Sequence, residues 1–469
     1  MHLEPMGAWY MLVICTVLII IFLSVAPSSR LKKKVPLFYS WIGAIAVFGG
    51  ALAFLLPIAL NSGFGRDDDG RVLRQLILYT TGGVLGVITI GETHRRNNQE
   101  KEKNENDHTR QVHAERRSRY TKAIEQLADE KATIRIGGIY TLVKLAGEWL
   151  EDKTTLQSEN DRILEAQTVI DTLTSYIRAP FPLARRREIL ELENPPQEYD
   201  GNFLRDREIF KEEQWVRRTI FNKMYSEIKN IDEQQSIDWN KIKFDFTESV
   251  IFYPLNNLTF KNPIFKRARF YGEADFSDSR IFGLIDFDSV IFHGPAKFHH
   301  TSFFEYANFS PAIFMEKAEF TPSIFEGYAD FTKTRFVKSS NFERTRFRSF
   351  ASFSETSFDG SVNFKKIHFE KGADFRTATF FRETTFGDAF FSSYPVFSTL
   401  DCGEKYNSKF SYIINPGEYN FKINCQARVS KINTEKISVT DGRVFTIPVG
   451  CELFDPEPLP APKPEEPTE

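Results

Sequence analysis

With 60 lysines and arginines against 63 aspartates and glutamates in 469 residues, the net charge of −3 offers neither a basic surplus for phosphate backbones nor a strongly acidic field. The length leaves room for several domains, and 46 phenylalanines are far more than an ordinary globular chain carries. Cys15 lies in the first apolar run, and Cys402, Cys425 and Cys451, an odd number with no Cys-x-x-Cys pair, form no disulfide framework and a poor zinc site and read as buried thiols in a reducing compartment.

The N-terminal region, residues 1–92, is expected to hold three transmembrane helices. Residues 8–27 (through Val13, Leu18, Ile21 and Leu23) and 36–60 (Leu37, Ile42, Val47, Leu55, Leu56) are apolar runs long enough to cross a bilayer. A third run, 73–91, begins at Arg74 and Gln75, and an arginine at that edge can snorkel to the headgroups. Arg30, Lys32, Lys33 and Lys34 follow the first run, Asp67, Asp68 and Asp69 the second, and Arg95 and Arg96 the third. The positive-inside rule then puts the N-terminus outside and everything after residue 92 in the cytoplasm. A cleaved signal peptide would need a basic region ahead of the first run, which is missing. Gly82 with Gly86, and Ala46 with Gly50, are spaced for close helix packing within the chain or between copies.

Residues 93–118 are almost wholly polar, with Arg110, Arg116 and Arg117, and read as a solvated juxtamembrane stalk helix. From 119 to 238 a helical module follows. Tyr120, Ala123, Ile124 and Leu127 share one helical face. Leu142, Leu145, Ala146 and Trp149 continue a buried face, and a second helix carries Ile163, Ala166, Ile170, Leu173 and Ile177. Gly137 and Gly138 lack a phosphate-loop context and point to a close helix crossing. Beyond Pro180, Pro182, Pro195 and Pro196, a long helix at about 203–231 carries Trp215, Ile220, Phe221 and Met224.

From 243 to 391 a fixed period takes over. One series runs Phe265, Phe276, Phe287, Phe298, Phe309, Phe320, Phe331, Phe342, Phe353, Phe364, Phe375 and Phe386, a step of eleven. A second, offset by five, runs Phe270, Ile281, Phe292, Phe303, Phe314, Phe325, Phe336, Phe347, Phe358, Phe369, Phe380 and Phe391. On a helix, positions five apart lie about 140° round the axis and form no single stripe. In one continuous strand, a step of five flips each ring to the opposite face. What remains is a chain that turns a corner after each phenylalanine and returns it to one interior. Two residues before each ring stands a small residue, such as Ala274, Ala296, Ala307, Thr301, Ala312 or Thr334. Units such as Ala329-Asp330-Phe331-Thr332-Lys333 and Ala373-Asp374-Phe375-Arg376-Thr377 resemble the pentapeptide-repeat family, and the extra residue in alternate units resembles its Phe-rich variant.

That resemblance implies a right-handed quadrilateral β-solenoid with one unit per side. Four units would make coils of about 22 residues, roughly six of them at about 4.8 Å each, a rod near 28 Å long. The open end of such a rod exposes apolar rungs and needs a cap, for which the 203–231 helix is the candidate. The stretch from Arg119 to Leu142 is similar to the helical module between membrane spans and pentapeptide repeats in many bacterial proteins, and its short helices resemble a HEAT-like pair.

Residues 392–454 lose the repeat and alternate as strands through Tyr419, Phe421, Ile423 and Cys425. Ile437, Val439, Asp441-Gly442, Val444 and Phe445 read as a hairpin with a type I′ turn in a small β module. Residues 455–469 are rich in proline and glutamate and are expected to be disordered.

No nucleophile–base pair, metal spacing or phosphate loop stands out, so no catalytic, cofactor-binding or metal site is assigned and no cofactor is expected. His299 and His300 read as a surface pair, and His368 points away from the rings. The acids before the rings (Asp275, Asp286, Glu319, Asp330, Asp374) follow from the repeat consensus. DNA mimicry, the family's strongest functional analogy, needs a negative surplus, yet residues 243–391 hold nineteen acidic and nineteen basic side chains. The expected architecture is therefore α + β-solenoid on three transmembrane helices: a multi-pass protein of the bacterial inner membrane with cytoplasmic C-terminal domains. Its expected function is a non-catalytic scaffold that presents the rod to an unknown cytoplasmic protein, with no nucleic-acid partner and with self-association through the membrane helices. The alternative is a membrane effector or sensor, for instance in defence against phage, whose solenoid senses a ligand or partner and rearranges the spans.

Overall fold

The computed structural model describes residues 4–25, 37–61, 69–229, 238–423 and 431–456. The basic cluster from Arg30 to Lys34, Asp67, Asp68, Cys425 and the tail beyond residue 456 lie outside them. The chain divides into two compact units, Met1–His113 and Ala114–Glu469.

The first unit is helical. α1 (Pro5–Val25) and α2 (Leu37–Ala59) pack through Ala8 and Leu12 against Leu55 and Ala59, and the Trp9 indole donates to the Ala59 carbonyl at 3.1 Å. α3 (Asp69–Leu127) is one unbroken helix through the residues expected to form both the third span and the stalk. Among the described residues, three helices are long and apolar enough to cross a membrane. Their outward side chains are large and greasy, Val87 and Ile90 among them. Within the chain, close packing falls at Gly49: a Cβ there would lie 2.2 Å from the Thr81 side chain, whereas one at Gly50, Gly82 or Gly86 would meet nothing within 4 Å.

In the second unit, the last turns of α3 meet α4 (Ala132–Glu151) and α5 (Glu159–Arg178). Ala123, Leu127, Leu142, Leu145, Ala146, Trp149, Ala166, Ile170, Leu173 and Ile177 form their core. Gly138 is the crossing point, since a Cβ there would come within 2.7 Å of the Ala123 carbonyl oxygen, while Gly137 meets nothing. Ile124 departs from expectation: it is exposed, because the helix turns Tyr120, Ala123 and Leu127 inward and leaves Ile124 at the edge. After a short helix α6 (Arg187–Leu190) comes α7 (Phe203–Lys229), which lies on the first coil of the solenoid as the expected cap. Ile220, Phe221 and Met224 are buried there, with the Phe221 ring 4.7 Å from Phe246. Trp215 on the same helix is 53% exposed, since it stands on the face turned away from the rungs.

The solenoid is four parallel sheets made almost entirely of two-residue strands. The first face stacks seven strands from Phe244–Asp245 to Ala373–Asp374, and the second stacks nine from Val250–Ile251 to Glu452–Phe454. The third runs from Ala274–Asp275 to Tyr419–Asn420 and the fourth from Thr259–Lys261 to Phe390–Phe391, seven strands each. Successive strands on a face are 22 residues apart in the regular part, as in Ala307↔Ala329 and Phe314↔Phe336. Every ring of both series, and Ile281, is at most 1% exposed. Rings one coil apart stack face to face (Phe309 on Phe331 at 4.8 Å, Phe320 on Phe342 at 4.7 Å), and neighbours within a coil meet edge to face (Phe309 and Phe320, 5.7 Å and 85°). Both arrangements suit the ring quadrupole and add about 0.5–1.5 kcal/mol per pair to the burial itself.

The rod is longer than the six coils implied by the period. It begins at Phe244, where the spacing is still irregular, and the chain after residue 391 returns to it. Lys409–Ser411, Tyr419–Asn420 and Glu452–Phe454 extend two faces, and Phe397, Phe410 and Phe421 continue the ring columns. The hairpin of Thr434–Ser438 with Val444–Pro448 is present, but its turn is not type I′. Val439 and Arg443 pair across it, the Gly442 N–H reaches the Val439 carbonyl, and Gly442 (φ +84°) rather than Asp441 is left-handed. That is a three-residue loop, which places only one residue at positive φ and assigns it to glycine.

Candidate functional site

The solenoid's polar residues first serve its corners. Asp275, Asp286, Asn308, Asp330, Asn341, Asn363 and Asp374, each just before a ring, accept the backbone N–H two residues on at 2.9–3.0 Å. Such a side chain fixes the corner by mimicking a backbone turn, so these acids are structural. Glu319 is too long for that bond and instead meets Lys317 and His299. Two residues before second-series rings, the buried hydroxyls of Thr301, Thr334, Thr345 and Thr356 donate to ring-residue carbonyls of the preceding coil at 2.8–2.9 Å. His299 is half-buried between Glu319 and the Thr321 carbonyl, whereas His300 is exposed at a corner with φ +54°. His368 faces outward and stacks on Phe390 at 5.5 Å. Among the described residues, no group of three or more His, Cys, Asp and Glu is arranged to hold a metal. Burial pushes the Cys451 thiol up to about 12, so it is no nucleophile.

The junction between cap and first coil holds a buried ion pair. Arg217 Nε donates to Glu213 Oε1 at 2.6 Å, and its other nitrogens donate to the Ile177 and Ala179 carbonyls. The guanidinium lies 5.6–5.7 Å from the Tyr176, Phe181 and Phe252 rings. Tyr176 donates to the second Glu213 oxygen at 3.0 Å. Removing one partner of such a pair costs about 3–5 kcal/mol, because a buried charge is left alone. This network locks helices to rod.

A second clamp joins α3 to α4. Arg116 lies 4.5 Å over Trp149 and donates to Asp152 at 2.5 Å, while Arg119 makes a two-pronged bond to Glu148. Burial alone would raise the Asp152 pKa, but hydrogen bonds from Thr155 and Arg116 outweigh it and hold the carboxyl well below the usual range. The Arg119 hydrogen bond likewise lowers Glu148.

The outer surface carries a regular column of side chains at the corner between the fourth and first faces. Leu284, Tyr306, Tyr328, Phe350, Gly372 and Tyr394 occupy one column there, a step of 22 set by the strand register. Tyr306 stacks on Tyr328 at 5.4 Å and 2°, and Tyr328 on Phe350 at 5.9 Å. Leu284 is 38%, Phe350 41% and Tyr394 67% exposed. The sequence reading missed this column. Its step of 22 was present, hidden because the eye follows the inner step of eleven.

The comparisons agree with this geometry. The family described as Pentapeptide repeats (9 copies) matches residues 255–302 and 320–368. Neither the curated proteins nor the solved structures give a match. The matched segments fall within the stacked coils that carry the phenylalanine columns. Over these residues the solenoid is built from pentapeptide repeats of the kind that family describes.

Proposed function

We propose that this chain is a membrane-tethered, non-catalytic scaffold that presents its solenoid for protein–protein interaction. In this reading it is a multi-pass protein of the bacterial inner membrane, with its N-terminus outside and the helical module and rod in the cytoplasm. The observation that carries it is a rod whose interior is filled by rings and whose polar side chains are largely spent on corners, leaving a long ordered outer surface. The exposed apolar surface of α1, α2 and α3 supports the tether. Affinity capture from gently solubilised membranes, under several growth states, should recover a cytoplasmic protein that a variant lacking residues 243–456 does not. Recovery of the same proteins by both chains would sink the scaffold. Release of the protein by alkaline extraction of membranes would sink the tether.

A second reading, a membrane effector or sensor, is favoured by one feature: α3 continues without a break from its apolar segment into the packed helical module. Overexpression should then change membrane permeability, and unchanged ion leakage would rule this out.

A further inference from the structure

We propose that two copies of this chain associate side by side and antiparallel along the corner stripe from Leu284 to Tyr394. The stripe is self-complementary about a two-fold axis passing between the Tyr328 and Phe350 levels. A two-fold contact requires that residue i meet j while j meets i, so the levels must match in reversed order. They do. Tyr328 would face Phe350 of the second copy, and Leu284 would face Tyr394, apolar on apolar. Tyr306 would come to Gly372, which has no side chain to oppose it. In the adjoining column, Glu305 would face Lys371. Both are exposed and neither makes an ion pair within 4 Å among the described residues, although Glu305 acts on Lys261 of its own chain from further off. One column further, Glu326 would face Arg348. These two already pair within one chain at 2.8 Å, so the dimer would bring two such pairs into a four-charge cluster at the axis. Glu370, opposite Phe304 in that arrangement, is turned toward Arg346 of its own chain at 3.7 Å.

Charge and size matched in reverse order argue for a second copy over an unrelated partner, because an unrelated partner places no such constraint on the sequence. The stripe spans five coil steps, about 24 Å. It is smaller than the roughly 800 Å² per partner of a stable interface. The contact is therefore weak between free chains and gains when copies share one surface at high effective concentration. That last point rests on the membrane tether, and the pairing itself does not.

The test uses the full-length chain. Isotope-labelled and unlabelled copies are reconstituted together, treated with a zero-length carbodiimide crosslinker and digested for mass spectrometry. Within one chain Glu305 and Lys371 stand three coils apart, about 14 Å, too far for a direct amide link. The expected product is a Glu305–Lys371 link joining one heavy and one light peptide. Lys371→Glu should lower its local yield at least tenfold, and adding Glu305→Lys in the same chain should restore a link between the exchanged positions. Absence of mixed-isotope links, or no recovery on charge exchange in a protein whose circular dichroism is unchanged, overturns the proposal. Links from Lys371 to Glu465 or Glu466 would give the stripe to the chain's own tail, and links to another protein would give it to a foreign partner. Either result overturns the dimer. Alkaline extraction of the same preparation tests the tether separately.

Discussion

Two regions of this molecule use apolar side chains in opposite senses. In α1 to α3, Tyr10, Val87 and Ile90 are 68%, 72% and 71% exposed, while both ring series of the solenoid are at most 1% exposed. The difference follows from where each backbone finds its hydrogen bonds. A helix closes its own, so it can turn greasy side chains toward any apolar medium and still stand alone. A two-residue strand closes none by itself. Its N–H groups reach a neighbouring coil: Phe309 and Phe331 donate to Asp330 and Ser352 of the next coil, Arg335 and Val337 to Ala312 and Phe314 of the one before. Stacking is then obligatory, and the rings follow the backbone inside. The same kind of side chain thus reports a lipid-like surrounding in one region and a closed interior in the other.

That contrast breaks most sharply at the centre of the rod. Phe331→Ala should lower stability by about 3–5 kcal/mol, because its ring is sandwiched between Phe309 and Phe353 and neighbouring coils cannot collapse into the gap. Chemical denaturation of the detergent-solubilised full chain, followed by tryptic sensitivity of the rod, measures it. A loss below 1 kcal/mol would mean that the columns are not close-packed. On the helical side, Val84→Arg should cost about 2.5–3.5 kcal/mol of membrane insertion and leave the rod's protease resistance unchanged. Equal damage to both regions would show that the exposed helix face is not lipid-facing. The smallest effect concerns the clamp at the end of α3. The Asp152 and Glu148 pKa values are lowered in the folded chain, so their stabilisation is present above the unfolded carboxylate range near 4 and is lost as pH falls through the folded values. Protection of the α4 amides, taken relative to their intrinsic exchange rate at each pH, should fall as the solution is acidified below about pH 4, and Asp152→Asn should blunt that fall. An identical acid response in the variant would remove Asp152 from the account.

The phenylalanine columns, the parallel coils and the capping helix were all legible in the sequence, because a rigid period and an amphipathic helix need no long-range information. The ends of the rod were not. Before Phe265, the inward residues Phe246, Ile251, Leu255 and Phe260 are spaced by five, four and five, which breaks the step of eleven. After Phe391, loops separate Phe397, Phe410 and Phe421, and only their stacking shows that they continue the columns. Ile124 was misplaced because a helical wheel gives a face, while the neighbouring elements decide how wide the buried part of it is. The outer corner was readable as a step of 22, but its importance lies in which columns the register places side by side.

A coil that closes after two eleven-residue repeats also fixes how the rod can change in length. Adding or removing 22 residues would insert or delete one storey, leaving the capping helix and the C-terminal strands over the walls they now touch. Adding eleven would rotate everything downstream by half a circuit. The C-terminal strands would then meet the wrong walls, and the tyrosine edge would jump to the diagonally opposite corner. The rod is quantised in whole storeys.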